Sequence, residues 1–240
     1  MNIALLTAAG SGTRFGQDIP KQFMPVDNIP VIIYTLRPFQ EHPQIDAIAV
    51  VCLKGWETML KAYADQFNIS KLKWIFEGGD SNQGSIRNGV RGLEEAGCSP
   101  EDIVLVHDGV RPLVSREIIS NNISVCKEYG YAVTGLPCKE AIMRLGDNNS
   151  LEKIEFPREE LIRTQTPHTY RLGTLCDAHE KAAHQSISNT VASCTLLAEL
   201  GIADQHLVKG SEANGLKLTM AEDVELFKAM IHTAQYEWMK

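Results

Sequence analysis

The chain has 240 residues, enough for one large domain or two small ones and for a sizeable buried core. Hydrophobic residues make up 44% and charged residues 22%, ordinary for a soluble globular protein. With 23 Lys+Arg against 30 Asp+Glu the net charge is −7, which argues against a general nucleic-acid or membrane-surface binder but leaves room for a local basic cluster on a small anion. No run approaches the ~18 apolar residues of a membrane span, and the first residues lack the charged and apolar regions of a signal peptide. The six cysteines are scattered without a CxxC pair, so they read as reduced thiols and the expected location is cytoplasmic.

In chain order, "NIALLT" reads as a strand, "IPVIIYTLRPFQ" as a helix, "IDAIAVVCL" as a strand, "WETMLKAYADQF" as a helix and "LKWIFEG" as a strand. "SIRNGVRGLEEAG" then reads as a helix stopped by Gly97, "DIVLVHDG" as a strand, "SREIISNNISVCKEYG" as a helix from Ser115 to Gly130, and "YAVTGLP" as a strand. Alternating β and α segments, with strands apolar on both faces, predict an α/β fold: a Rossmann-like, mostly parallel sheet with helices on both sides. The rhythm breaks over 138–163, where polar, alternating pieces flank a turn at "GDNNS". That pattern predicts a β-arm projecting from a single domain of 1–240 and packing on a second copy of the chain. Helices follow at "LGTLCDAHEKAAHQ" and "TVASCTLLAELG", strands at "HLVKG" and "LKLT", and a last helix whose start, Thr219 to Glu222, matches a capping box.

The first strand runs into "LLTAAGSGTRFGQDIPKQF". A Rossmann loop needs a glycine three residues after Gly12 and a Walker loop needs one five after Gly10; both positions are Phe15, so both readings fail. What remains is a glycine loop at the carboxyl end of a strand, where open α/β sheets bind ligands. Its backbone N–H groups can approach phosphates, Arg14 can fork across two oxygens, and Lys21 adds a point charge. The alternative is a Gly-rich turn with two solvated cations.

Five ordered stretches, "TAAGSGTRFGQDIPKQF", "GGDSNQGSIRNGV", "VLVHDGVRP", "RTQTPH" and "NGLKLTMAEDVEL", resemble the cytidylyltransferases that act on polyol phosphates, over essentially the whole chain. The resemblance implies a nucleotidyltransferase fold with an arm that crosses a homodimer. It also implies that CTP and a polyol phosphate give a CDP-polyol and pyrophosphate with Mg²⁺. It assigns Arg14, Lys21 and Lys217 as catalytic cations, and Thr7, Ala8, Ala9, Gly10, Gly12, Gly79, Asp80 and Ser85 to CTP. Asp108 would face the polyol and lie near the metal, with Arg111 orienting it or reaching the substrate. Arg158, supplied by the partner, and Thr166 would hold the substrate phosphate, and Ser188 would face the polyol. His107 reads as a structural histidine rather than a base.

The family's methylerythritol members carry Asp-Thr early in the arm and Thr-Asp before the penultimate helix; here the corresponding residues read Glu140-Ala141 and Ser188-Asn189. These departures bear on the acceptor, and "KGWETMLKAYADQFNI" and "HDGVRPLVSREIISNNI" look closer to the ribitol-phosphate branch. Ribitol 5-phosphate is therefore the expected acceptor. The alternatives are 2-C-methyl-D-erythritol 4-phosphate or a catalytically silent CTP or CDP-polyol binder.

Overall fold

The computed structural model describes residues 1–10, 19–202 and 204–233. Gly12 and Arg14 lie outside the described residues. Seven strands form one sheet in the order β11 (His206–Lys209), β7 (Tyr131–Pro137), β10 (Ile162–Arg171), β6 (Ile103–Asp108), β1 (Asn2–Ala8), β4 (Ala47–Cys52) and β5 (Leu72–Glu77). All neighbours are parallel except β10, which runs antiparallel to both β6 and β7. The mostly parallel α/β expectation therefore holds.

Along β1 the side chains alternate between two cores, as a period of two requires. Ala4 and Leu6 pack with Ile32, Leu36 and Phe39 of α1 (Val31–Glu41), Leu60 of α2 (Glu57–Gln66) and Ile119 of α4 (Arg116–Tyr129). Ile3 and Leu5 pack on the opposite face with Ile86 and Val90 of α3 (Asn82–Glu95), Leu175 of α5 (Leu172–His184) and Leu196 of α6 (Ser193–Glu199). Each of these fully buried aliphatic side chains contributes on the order of 1.5–3 kcal/mol by leaving water. A third cluster seats α7 (Ala221–Thr233) through Phe227 and Val224 against Val31 and Leu218. A small ribbon, β2 (Pro25–Val26) with β3 (Ile29–Pro30), leads into α1.

Helix ends follow their local chemistry. Ser115 Oγ accepts the Ile118 N–H at 3.2 Å at the start of α4, and Gly130 closes that helix at φ 85°, a left-handed conformation that favours glycine. α3 begins three residues before the expected "SIRN", because Ser81 rather than Ser85 caps it, accepting Gly84 N–H at 3.0 Å. At α7 the side chain that reaches back to the helix start is Asp223, not Glu222. Its Oδ2 accepts from Thr219 N at 2.6 Å, Thr219 Oγ1 at 2.8 Å and Met220 N at 2.7 Å.

Two expected elements change. "LKLT" lies outside regular secondary structure; among the described residues it makes one backbone bond, from Leu218 N–H to the Val110 carbonyl at 2.9 Å. The arm of 138–163 is smaller in regular structure than its pattern suggests. It holds β8 (Arg144–Leu145) paired with β9 (Leu151–Glu152), and its last residues already belong to β10. β10 was not expected, because "IRTQTPHTYR" is polar and carries Pro167; its strand state comes from hydrogen bonding to a neighbour on each side.

Candidate active site

β1, β4, β5 and β6 all end on one edge of the sheet, where Ala8 pairs with Cys52, Cys52 with Glu77, and Thr7 with Asp108. The loops beyond these ends enclose a cavity of about 420 Å³. Thr7, Ala8, Ala9 and Gly10 from the glycine loop, Lys21, Gly79, Asp80 and Ser85, and Asp108 and Lys217 all line it. Gly79 has no room for a side chain, because a Cβ there would lie 2.7 Å from the Gly84 carbonyl carbon. Ser85 Oγ accepts the Gly79 N–H at 3.1 Å, which holds that turn against α3.

A second, inner cavity of about 330 Å³ shares Thr7, Asn82, Asp108 and Lys217 with the first. Arg111, Thr166, His168 and Ser193 are in its wall. At the junction Asp108 Oδ2 meets Arg111 Nε at 2.9 Å and Lys217 Nζ at 2.9 Å. Burial pushes the Asp108 carboxyl up, but the charges and hydrogen bonds of Lys217 and Arg111 outweigh it and hold the group well below the usual carboxylate range. Asp108 is therefore an ionised hub that fixes both cations. Arg111 also donates to the Gly215 carbonyl, so the loop carrying Lys217 is tied to the end of β6.

Behind this hub His107 is fully buried, with Nε2 3.1 Å from the Arg111 carbonyl oxygen and Nδ1 2.9 Å from Thr166 Oγ1. Burial pushes its pKa down to about 4, outweighing the hydrogen bond to the Arg111 carbonyl and the Asp108 charge that raise it, so it stands neutral. His168 is pushed down to about 4 by the same burial, and its Nε2 has no partner among the described residues.

Two expected residues stand apart from both cavities. Arg158 is on the arm, paired with Glu159 Oε1 at 3.0 Å, and lines a separate groove with Ile142, Met143 and Phe156. Ser188 is exposed, lines neither cavity, and its carbonyl accepts from Ser81 Oγ at 3.5 Å. The cavity-facing part of its loop is Val191, Ala192 and Ser193, because Asn82 Nδ2 grips the Val191 carbonyl at 2.9 Å and Gln83 Nε2 the Ile187 carbonyl at 2.7 Å.

Gln22 was missed as a functional residue. It is buried, and its Nε2 donates to the carbonyls of Ala8 at 2.8 Å and Gly10 at 3.0 Å, strapping the start of the glycine loop to the turn that carries Lys21. Its signal was the glutamine in "PKQF", read only as context for the lysine. The cavity as a whole is a set of fixed cations and backbone donors, suited to positioning phosphates rather than to nucleophilic chemistry by a His or Cys. Among the described residues no group of three His, Cys, Asp or Glu side chains could hold a metal by itself.

Comparison with known proteins shows the family. The family model described as "IspD: 2-C-methyl-D-erythritol 4-phosphate cytidylyltransferase" matches residues 2–233. The chain is 40% identical to a ribitol-5-phosphate cytidylyltransferase of Lacticaseibacillus paracasei, over 96% of this chain and 98% of that one. It is 39% identical to one of Vibrio parahaemolyticus, over 98% of each. The fold is shared with the crystal structure of 4-diphosphocytidyl-2C-methyl-D-erythritolsynthase from Anaerococcus prevotii, with a TM-score of 0.80 and 23% identity over 96% of this chain and 95% of that one. With its sheet edge, glycine loop and Asp108 hub arranged in this way, the chain belongs to the IspD family of cytidylyltransferases.

Proposed function

We propose that this enzyme transfers the cytidylyl group of CTP to ribitol 5-phosphate, releasing pyrophosphate. The observation that carries the reading is the pair of adjoining cavities joined at Asp108 and Lys217, one lined by the glycine loop and the other by polar side chains. CTP occupies the outer cavity with its phosphates on the glycine loop, and the acceptor occupies the inner one. An oxygen of the acceptor phosphate forms the new bond to the α-phosphorus as the bond to pyrophosphate breaks. That phosphate, with a second pKa near 6, is already largely dianionic, so no general base is needed.

Lys21 and Lys217, with Arg14 of the glycine loop, hold the triphosphate and offset the charge that gathers in the transition state. Mg²⁺ fits a site of this kind, since it is commonly held by one or two carboxylates plus substrate phosphates, and Asp108 is the carboxylate at the junction. When bound, it would neutralise triphosphate charge. Both ion pairs of Asp108 end on Oδ2, which leaves Oδ1 as its other acceptor.

Ribitol 5-phosphate as acceptor is supported by the two relatives at 40% and 39% identity, both named for it. The methylerythritol reading is supported by the family model's own description. A homodimer that brings Arg158 into the partner's inner cavity is supported by the apolar, exposed face of the arm. The test is pyrophosphate release from CTP and Mg²⁺ on adding a panel of polyol phosphates. We expect release with ribitol 5-phosphate to exceed that with 2-C-methyl-D-erythritol 4-phosphate. The reverse ranking would reassign the acceptor, and silence across the panel would make the protein a binder.

A further inference from the structure

A chain of hydrogen bonds behind the inner cavity dictates which way one hydroxyl group faces it. His107 Nε2 faces the Arg111 carbonyl oxygen, and a carbonyl only accepts, so Nε2 carries the ring proton. Neither ring nitrogen faces an anion: one meets that carbonyl and the other the hydroxyl of Thr166. A fully buried imidazole in that setting is neutral, and with its proton on Nε2 it has a bare lone pair on Nδ1. Thr166 therefore donates its O–H to Nδ1. The same oxygen already accepts the Asp108 backbone N–H at 3.1 Å. One lone pair of Thr166 Oγ1 is left, on a residue that lines the inner cavity.

We infer that Thr166 reads a hydroxyl group of the acceptor by accepting its hydrogen bond, and that His107 is the positioning residue that imposes this polarity. The inference rests on the polyol-phosphate reading above and changes the task of Thr166 within it. The resemblance implies that Thr166 holds the substrate phosphate. A dianionic phosphate has no proton to give, and the only proton of Thr166 is committed to His107. A polyol hydroxyl is a donor and fits the remaining lone pair.

The rest of that wall points the same way. Asp108 adds a carboxylate, an acceptor. His168 is buried beside it, and its Nε2 has no partner among the described residues. Hydroxyl donors suit this side of the cavity, whereas the cations Lys217 and Arg111 at the junction suit the phosphate.

The test is a cycle of enzyme and acceptor changes, read as kcat/KM for pyrophosphate release at saturating CTP. Wild-type enzyme is run first with ribitol 5-phosphate and the polyol panel; silence there would be a failure of the activity reading, seen before any variant is made. Thr166→Val keeps the shape and removes the oxygen. With the intact acceptor it is expected to lower kcat/KM about tenfold, the worth of one hydrogen bond. Against analogues that each lack one hydroxyl, the loss should shrink to within about twofold for one analogue and persist for the others, as coupling between contacting groups requires. A loss of equal size with every analogue would overturn the inference, because it would leave Thr166 on the phosphate or in a purely structural role.

Two substitutions separate the role of His107. His107→Asn places an amide oxygen near the position of Nδ1 and can still take the Thr166 proton. His107→Gln can donate to the Arg111 carbonyl but gives Thr166 no acceptor. We expect H107N to retain the dependence on that hydroxyl and H107Q to lose it, with the KM for CTP unchanged in both. Retention in H107Q would overturn the positioning role. Should either variant fail to fold, the Thr166 cycle decides the hydroxyl assignment by itself.

Discussion

A single buried amide shapes the phosphate-facing loop. Gln22 spends both amide protons on the carbonyls of Ala8, at the end of β1, and Gly10, just beyond it. Replacing it by leucine preserves most of the volume and leaves both carbonyls without that donor, a loss of about 1–3 kcal/mol. The strap connects the loop to the turn of Lys21, so Gln22→Leu should raise the KM for CTP roughly tenfold while changing the KM for the acceptor little. Steady-state kinetics with each substrate varied in turn checks it. An unchanged KM for CTP in a folded variant would mean that the loop keeps its shape without the strap. Lys217 depends on the same kind of support, since it is anchored by Asp108 and its loop by Arg111.

Among the elements, the arm has the least internal support. Its ladder is two residues against two, reinforced by the Arg144–Glu152 ion pair, and such a ribbon is at best marginal in water. Leu145 and Leu151, paired across that ladder, are each 68% exposed, and Met143 and Phe156 add further exposed apolar surface. A surface of this kind is stable when covered. Replacing both leucines by aspartate places two like charges opposite each other on this face. If the proposed homodimer packs here, the expected outcome is a monomer by light scattering at micromolar concentration, with turnover lost as the proposed reach of Arg158 into a partner is lost. A double variant that stays dimeric, or a monomer with full activity, would contradict the shared site.

The molecule as a whole carries histidines that must stay neutral. His179 is buried where α5 meets α3, and neither ring nitrogen has a partner among the described residues. Burial, followed by the charges of Arg87 and Arg91, pushes its pKa down to about 4 from an ordinary 6.5. Between those two values the unfolded chain binds a proton that the folded chain refuses, so lowering the pH favours unfolding. Above about 6.5 the effect vanishes, because neither state is protonated. His107 and His168 act in the same sense. Thermal melts should therefore show Tm falling as pH drops from about 7 toward about 4.5, and His179→Met should flatten that slope by up to one proton's share. A slope identical in wild type and variant would mean that His179 is not kept neutral by the fold.

The sequence by itself determined the layered plan. Runs such as "AIAVVC" and "IVLVHD" are apolar on both faces, which only a strand covered by helices on both sides explains, and the glycine loop must then fall at the ligand edge of the sheet. Lys21 was legible beside the glycine loop, and Gly79, Asp108 and Lys217 through the motifs that carry the family resemblance; all four line the outer cavity. Tertiary structure alone decided β10, whose polar residues and Pro167 carry no strand period and become a strand only between two neighbours. It also decided that Val191 and Ser193, not Ser188, face the inner cavity, that Gln22 straps the loop, and that the proton of Thr166 points at His107. Periodicity in a chain records which face is buried, a local property. A hydrogen bond between residues distant in sequence has no local signature, so the polarity of this site appears only once the chain has folded.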